Sequence, residues 1–365
     1  MKIVFDCRWH KKSGIGTFAD NVLAKMLKTE NEFLLLGFEK IPEEFSAVLK
    51  DNVASQRIKG LPCDVPAFSV KELFFFPKDL SKEINKYDVY FSPYCNVPAG
   101  IKIPVFTTIH DVLFLDMPEI AGKAGTFIRK LFYKYAIFRS KAIFTVSEFS
   151  KNRIIKNLHC KKQIFVNYNG VPENFLKSTR ISVPKTDSII FIGNIKKHKG
   201  LQILIPAFKE FCKELSSKNL KTPKLVIVGS KENFRTNDQE ISLLLENSAS
   251  SEIEFTGFIS DDELKQKLTE AKILVQPSFY EGFGLPPIQA LNCGTNCIVS
   301  DLEVFKEVYA EYPVTYFKTG DVSDLKEKLL KVWNENKPLP AFEEKYSFEK
   351  TAKAILSVLS QNAES

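Results

Sequence analysis

Short apolar runs alternate with amphipathic stretches along the chain, and this alternation occurs twice. In the first half, apolar positions at helical spacing over 15–27 predict an amphipathic helix. Short runs rich in β-branched and aromatic residues predict strands at 1–5, 33–37, 89–91, 105–109 and 142–146. Strands that alternate with helices are typical of a parallel α/β sheet.

The pattern starts again after 170–186, where Asn169-Gly170 and Pro184 interrupt it. Ser260, with Glu263 three residues later, forms a capping box that predicts a helix start. Apolar spacing predicts helices at 201–215 and 348–359, and β-branched runs predict strands at 188–192, 224–228, 253–255, 273–275 and 297–299. The chain is therefore predicted to contain two Rossmann-like halves.

Composition limits the class of protein. A length of 365 residues suggests two or three domains, and 44% hydrophobic residues can fill ordinary cores. Seven cysteines without paired spacing fit a reducing cytoplasm. Asp6 lies where a signal peptide would be apolar, and no run approaches the ~18 apolar residues of a membrane span. We expect a cytoplasmic protein whose membrane contact, if any, is peripheral.

Positive charge is concentrated in one segment. The net charge is +7, and residues 121–162 hold eleven basic residues against one acid, Glu148, with aromatic residues between them. Such a helical surface suits an anionic membrane. Nucleic acid is a second possible partner, and the third interpretation is an ordinary solvent-exposed helix face without a partner. The preferred expectation is a membrane surface and no nucleic acid.

Residues 277–299 carry the most informative chemistry. The strand at 273–275 leads into a turn with Glu281, and Pro286 follows at the start of a helix, where proline is tolerated. A helix start offers free amides to an anion, and turn glycines let a ligand approach the main chain. Gln289 lies eight residues after Glu281. The predicted ligand-binding residues here are Glu281, Gly282, Phe283, Gly284, Leu285 and Gln289.

This segment resembles the donor-site signature of retaining glycosyltransferases of the GT-B fold, in the large family that includes bacterial mannosyl- and rhamnosyltransferases. That family has Glu, seven residues and a second Glu, and Gln289 replaces the second carboxylate here. In the family this carboxylate holds the donor ribose, and a Gln amide can still accept and donate hydrogen bonds. The resemblance implies that Glu281 binds the donor sugar.

Further motifs extend the resemblance over most of the chain, with 40–85 largely unmatched. Lys199 matches the family lysine that stabilises the leaving diphosphate, while Asn194 stands where the family has arginine. His110 follows a strand and matches the histidine that hydrogen-bonds the donor sugar. The resemblance also places Gly14 and Gly16 beside the donor phosphates, and Gly229, Gly257 and Phe258 in loops that hold the nucleotide base.

A different class of enzyme is favoured by one motif. Gly14 and Gly16 with Ala19 satisfy the dinucleotide fingerprint in its G-x-G-x-x-A form, and Glu39 lies near the end of the second predicted strand. A true fingerprint follows its strand immediately, and here residues 7–13 intervene. An NAD(P)-dependent oxidoreductase is therefore the weaker alternative. Because Gln289 and Asn194 depart from the family pattern, a non-catalytic nucleotide-sugar-binding protein of the same fold is the second alternative.

The resemblance implies an α/β protein of the GT-B fold, with two Rossmann-like domains facing each other across a cleft. The predicted domains are 1–170 on the acceptor side, 171–345 for the nucleotide sugar, and a helix in 346–365 that crosses back to the first. The predicted activity is metal-independent, retaining transfer of a hexose to a glycan or lipid-linked acceptor for surface polysaccharide. GDP-mannose is the first guess for the donor, with dTDP-rhamnose or a UDP-sugar next. No metal motif and no cofactor are expected.

Overall fold

A computed structural model describes residues 1–47, 57–176, 183–229, 252–335 and 337–363. The chain forms two compact units. The first comprises Met1–Gly170 together with Tyr346–Ser365, and the second comprises Val171–Lys345. Each unit is built on its own parallel sheet.

The first unit has a seven-stranded sheet with the order β3-β2-β1-β4-β5-β6-β7, and every described pairing in it is parallel. Its strands are β1 (Lys2–Asp6), β2 (Glu32–Leu36), β3 (Ile58–Leu61), β4 (Val89–Ser92), β5 (Val105–Thr108), β6 (Ala142–Thr145) and β7 (Ile164–Val166). The helices that connect them are α1 (Ser13–Met26), α2 (Glu43–Ser46), α3 (Val70–Phe74), α4 (Lys78–Ile84), α5 (Leu113–Asp116), α6 (Gly122–Arg139) and α7 (Glu148–Leu158).

The second unit has a six-stranded parallel sheet with the order β10-β9-β8-β11-β12-β13. Its strands are β8 (Ser188–Ile192), β9 (Lys224–Val228), β10 (Ile253–Gly257), β11 (Ile273–Gln276), β12 (Asn296–Ser300) and β13 (Val314–Phe317). Its described helices are α8 (Leu201–Ser217), α9 (Asp261–Glu270), α10 (Leu285–Asn292), α11 (Glu303–Val308) and α12 (Val322–Glu335). The chain order reverses between β8 and β11, and ligands bind open α/β sheets at the carboxyl ends beside such a switch point.

Three strands were not predicted, and all three lie at sheet edges. These are β3 and β7 in the first sheet and β13 in the second. Edge strands pair on one side only, so they carry a weaker apolar signal than buried central strands. The α/β fold class itself is confirmed, and the capping box predicted at Ser260 is present, with the Ser260 hydroxyl accepting from the amide of Glu263.

The last helix, α13 (Phe348–Ala363), packs on α1 within the first unit. Phe348 and Ile355 are buried in one cluster with Phe18 and Val22 of α1. The chain enters this helix beside Gly170, where any side chain would collide with the backbone of Phe348. The end of the chain therefore completes the core of the first unit.

Candidate active site

Two turns at the carboxyl edge of the second sheet pack tightly together. One follows β8 and the other follows β11, and these strands are neighbours in the sheet. The amide of Phe279 donates to the carbonyl of His198 at 2.8 Å. Gly200 has a φ of +78° and lies against the carbonyl of Pro277, so that a side chain there would clash. Glycine is required at this position for both reasons.

This packing brings Lys199 to Glu281. The Lys199 Nζ lies 2.7 Å from Glu281 Oε1, although the two residues are 82 positions apart. The same carboxylate oxygen accepts from Ser278 Oγ at 2.8 Å and from Gln276 Nε2 at 3.2 Å. Two residues predicted to act on the donor therefore form one partly buried ion pair.

Glu281 is ionised in this arrangement. Its residue exposure is 9%, and burial alone would raise the pKa of the carboxyl. The charge of Lys199 and the hydrogen bonds from Lys199 and Ser278 outweigh burial, so the pKa lies below its usual value. None of the described hydrogen bonds ends on Oε2, which remains the oxygen of this carboxylate with capacity for a ligand hydroxyl.

The N-terminus of α10, the helix that follows this turn, is held in place by tight packing around Gly284. Gly284 is the N-cap of α10, with φ +85°, and a side-chain carbon there would lie 2.5 Å from the ring of Phe305. The hydroxyl of Tyr309 donates to the carbonyl of Gly284. Since Pro286 and Pro287 have no N–H, the donors at this helix start are the amides up to Leu285. The geometry favours an anion at this position.

Gln289 lies inside α10 and is 8% exposed. No described residue hydrogen-bonds its side-chain amide. Gly282 and Phe283 are buried in the turn that joins Glu281 to the helix. The turn and the first helical turns therefore place all of the residues predicted from 281–289 at one end of β11.

Three glycine loops lie side by side on the same edge of the second sheet. The amide of Gly193 donates to the carbonyl of Val228, and the amide of Gly229 donates to the carbonyl of Gly257. Asn194 is exposed beside Gly193, and Phe258 is 92% exposed after Gly257. The predicted base loops are thus adjacent, although the loop that continues from Ser230 lies outside the described residues.

The remaining predicted residues, Gly14, Gly16 and His110, belong to the first unit. The ring of His110 is half-buried, meets Phe18 of α1 edge-on at 4.8 Å, and its Nε2 lies 2.9 Å from the carbonyl of Pro93. Because a carbonyl only accepts, Nε2 carries the proton and Nδ1 is the acceptor of the neutral ring. Burial lowers the pKa of His110 to about 4, against the opposing effect of the Pro93 bond.

The first helix was predicted over 15–27, but it begins two residues earlier and includes both Gly14 and Gly16. Helix α1 begins at Ser13, and the amide of Gly16 donates to the carbonyl of Lys12 inside its first turn. A side chain on Gly16 would meet the carbonyl of Trp9 at 2.5 Å, whereas Gly14 has open space. With β1 ending at Asp6, these glycines do not form the strand-to-helix turn of a dinucleotide site.

Two family models match consecutive parts of the chain. The model of Glycosyl transferases group 1 matches residues 175–354, and that of Glycosyltransferase Family 4 matches residues 13–175. The chain belongs to the group 1/family 4 glycosyltransferases. Its fold is GT-B.

Similar proteins agree with this assignment. An uncharacterised glycosyltransferase of Methanocaldococcus jannaschii is 26% identical over 98% of this chain and 97% of its own length. The O-antigen chain mannosyltransferase RfbU of Salmonella typhimurium is 29% identical, but the match spans only 55% of this chain and 53% of RfbU. HepE of Anabaena, solved with UDP and glucose, has a TM-score of 0.65 at 16% identity over 100% of this chain and 98% of its own. That structural likeness shows the fold alone.

The structure of the glycosyltransferase also reveals residues that the sequence did not single out. Ser278 and Gln276 hold Glu281, and both lie in or next to the recognised segment without a predicted role. In the first unit, Arg8 is buried between Asp6 at 2.6 Å and Glu72. An acid and an arginine two residues apart at a strand end are a weak signal, and Glu72 comes from the unmatched stretch 40–85.

Gly284→Ala should destabilise the glycosyltransferase more than Gly294→Ala. Both glycines have positive φ, at +85° and +77°, but only at Gly284 does a new carbon meet a neighbour, the Phe305 ring. The clash should make the free energy of unfolding of Gly284→Ala lower than that of Gly294→Ala by roughly 1–3 kcal/mol. Urea unfolding of both variants measures this difference, and equal losses would contradict the described packing.

His110 should make the stability of the glycosyltransferase fall as pH falls from about 6.5 towards 4. The pKa of the folded group is about 4, so the unfolded chain takes up the proton first and acid favours unfolding. His110→Gln can still donate to the Pro93 carbonyl but does not titrate. Urea unfolding between pH 7 and 5 should therefore show a steeper loss for the wild type, and parallel curves would contradict the lowered pKa.

Proposed function

We propose that the protein transfers a hexose from a nucleotide-diphosphate sugar with retention at the anomeric carbon. The observation that carries this proposal is the Lys199–Glu281 pair beside the amide-rich start of α10. A carboxylate for sugar hydroxyls, a cation and helix-start amides for a diphosphate are what such a donor needs. They lie within one edge of the second sheet.

The leaving diphosphate carries the largest change in charge during the proposed reaction. As the bond between the anomeric carbon and the phosphate oxygen breaks, negative charge grows on the diphosphate. Lys199 Nζ and the amides near Gly284 and Leu285 stabilise that charge from fixed positions. Glu281 holds the sugar through Oε2, while Oε1 keeps its contacts with Lys199 and Ser278.

The acceptor hydroxyl attacks on the face from which the phosphate leaves. Its proton passes to the departing phosphate oxygen, so a new carbon–oxygen bond replaces the old one with retention. His110 accepts a sugar hydroxyl at Nδ1, which is unprotonated in the neutral ring. The exposed ring of Phe258 offers a face on which the base stacks, with Gly229 and Gly257 beside it, and Gln289 takes the ribose hydroxyls.

GDP-mannose is the first donor that we propose. The similarity to RfbU, an O-antigen chain mannosyltransferase, supports it. HepE, with its UDP and glucose complex, keeps a UDP-sugar as the second choice, and dTDP-rhamnose is the third. The acceptor is a glycan or lipid-linked oligosaccharide at the cytoplasmic face of a membrane, and no metal and no cofactor take part.

A thermal-shift panel of GDP, UDP, dTDP, ADP and NADPH tests the donor class. A nucleotide bound at a hundredfold excess over its Kd stabilises the protein by about 2.7 kcal/mol. We expect the largest shift with GDP. Stabilisation by NADPH alone would support the oxidoreductase instead, and no shift with any nucleoside diphosphate would contradict a nucleotide-sugar site.

Lys199→Ala should lower kcat by roughly 10²–10³-fold, because it removes a fixed positive charge from the developing diphosphate. Lys213→Ala, on the exposed face of α8, is the matched control and should leave kcat unchanged. Sugar transfer from the donor chosen by the panel is measured with and without EDTA, which should have no effect. Lys199→Ala with wild-type kcat, or activity lost to EDTA and restored by Mg²⁺, would contradict the mechanism.

Glu281→Gln in the same assay should raise KM and lower kcat. Ser278 can still donate to the amide oxygen of the Gln, so the fold is retained, and unfolding curves check this. Wild-type protein that binds a nucleotide but neither transfers nor hydrolyses its sugar would support the non-catalytic alternative.

A further inference from the structure

Helix α6 exposes a stripe of large apolar side chains. Phe127, Leu131 and Phe138 are 62%, 50% and 76% exposed, and Ile128 beside them is 52% exposed. The spacings of four and seven residues place the first three on one side of the helix. Exposed apolar residues scattered singly need no explanation, but a contiguous set on one helix face marks a contact surface.

The opposite face of α6 is already well packed. Phe132, Tyr133 and Ala136 are buried, and the rings of Phe132 and Phe68 lie 4.2 Å apart. The helix therefore buries one face against its own unit, and the exposed stripe is a second apolar face. A helix on the surface of a globular protein usually has one apolar face towards the core and a polar face towards solvent, and α6 departs from this pattern.

Lysines border the stripe, and the helix has no acidic residue. It contains five basic residues, Lys123, Arg129, Lys130, Lys134 and Arg139. The two arginines have intramolecular partners, with Arg129 lying 4.0 Å from the ring centre of Phe114 and Arg139 bonded to Tyr135 and Ile101. Lys123 and Lys134 are exposed beside the stripe. The charges next to the apolar face are therefore lysines on flexible stems.

We propose that this face of α6, defined by Phe127, Ile128, Leu131 and Phe138 with Lys123 and Lys134, lies in the interface of an anionic lipid bilayer. The apolar side chains enter the boundary between headgroups and acyl chains, and the lysine stems extend along them with their ammonium groups on lipid phosphates. Among the described residues, no helix is long and apolar enough to cross a membrane, and this contact needs none.

Other occupants fit the face less well. A symmetric contact with a second copy would bring the lysines of two identical helices together without an acid on either, and lysine is depleted in such interfaces. Nucleic acid would use the lysines but has no role for the aliphatic Ile128 and Leu131. Lipid uses both the charge and the aliphatic surface.

The inference rests on the proposed function for its purpose, since a lipid-linked acceptor lies at the same membrane. Not every basic residue of the segment 121–162 is assigned to the lipid contact. Arg153 is paired with Asp116, and Lys162 donates to the carbonyls of Phe138 and Ser140. Those basic residues serve the fold of the first unit. The contact with lipid belongs to the outer face of α6.

Vesicle flotation of the full chain tests the proposal with phosphatidylcholine vesicles that contain or lack phosphatidylglycerol. Leu131→Ala is compared with Leu220→Ala, whose leucine is 51% exposed in the second unit against 50% for Leu131. Binding of Leu131→Ala to the anionic vesicles should be roughly tenfold weaker, and that of Leu220→Ala unchanged. Lys134→Gln should weaken it roughly fivefold, and Lys213→Gln, exposed on α8 of the second unit, should not.

Equal binding of Leu131→Ala and Leu220→Ala, or equal binding of the wild type to both kinds of vesicle, would overturn the proposal. Sedimentation velocity without lipid supplies the other decisive outcome, since a wild-type dimer that Leu131→Ala dissociates would make the face a self-association surface. No donor is present in either assay. Failure of the sugar-transfer proposal therefore appears in the nucleotide panel and leaves the vesicle result intact.

Discussion

The ion pair between Lys199 and Glu281 is the interaction on which the candidate site depends. Removing two charges from water costs several kcal/mol for each ion, and a buried pair is stable only with good geometry and further hydrogen bonds. Those bonds come from Ser278 and Gln276, which both donate to the carboxylate. The pair therefore fixes a cation and an acid at one strand end, ready for a ligand that carries hydroxyls and phosphates.

Much of this site could be predicted from local sequence. Pro286, which follows the turn after β11, predicted a helix start, and the structure begins α10 at Leu285. Runs of β-branched residues predicted the strands that end before Lys199 and before Glu281. Their contact could not be predicted, because it requires β8 and β11 to be neighbours, and strand order is a property of the whole sheet. Gly14 and Gly16 show the opposite case. The glycine motif suggested a ligand-binding turn, but in the structure it lies in the first turn of α1.

The first unit has a buried network that local patterns do not show. Arg8 bonds to Asp6 and Glu72, Tyr90 donates to Asp6, and Asn96 bonds to both acids. Two carboxylates share one arginine, and burial leads the effects that raise the pKa of Glu72. Because Glu72 lies in α3, the network ties that helix to the end of β1. Such ties join residues 64 positions apart, and hydrophobic periodicity carries no signal for them.

The protonation states of two histidines and of Glu281 bear on the mechanism that we propose. The pKa values of His110 and His198 are lowered to about 4, mainly by burial, so both rings are neutral near pH 7. Glu281, with its pKa lowered and its Oε1 bonded to Lys199, is a weak base. Within the second unit, a site made of Glu281, Lys199 and the start of α10 stabilises charge with fixed donors more readily than it moves protons through side chains. In the reaction that we propose, the negative charge that develops on the leaving phosphate makes that oxygen the acceptor for the proton of the attacking hydroxyl, as front-face attack with retention requires.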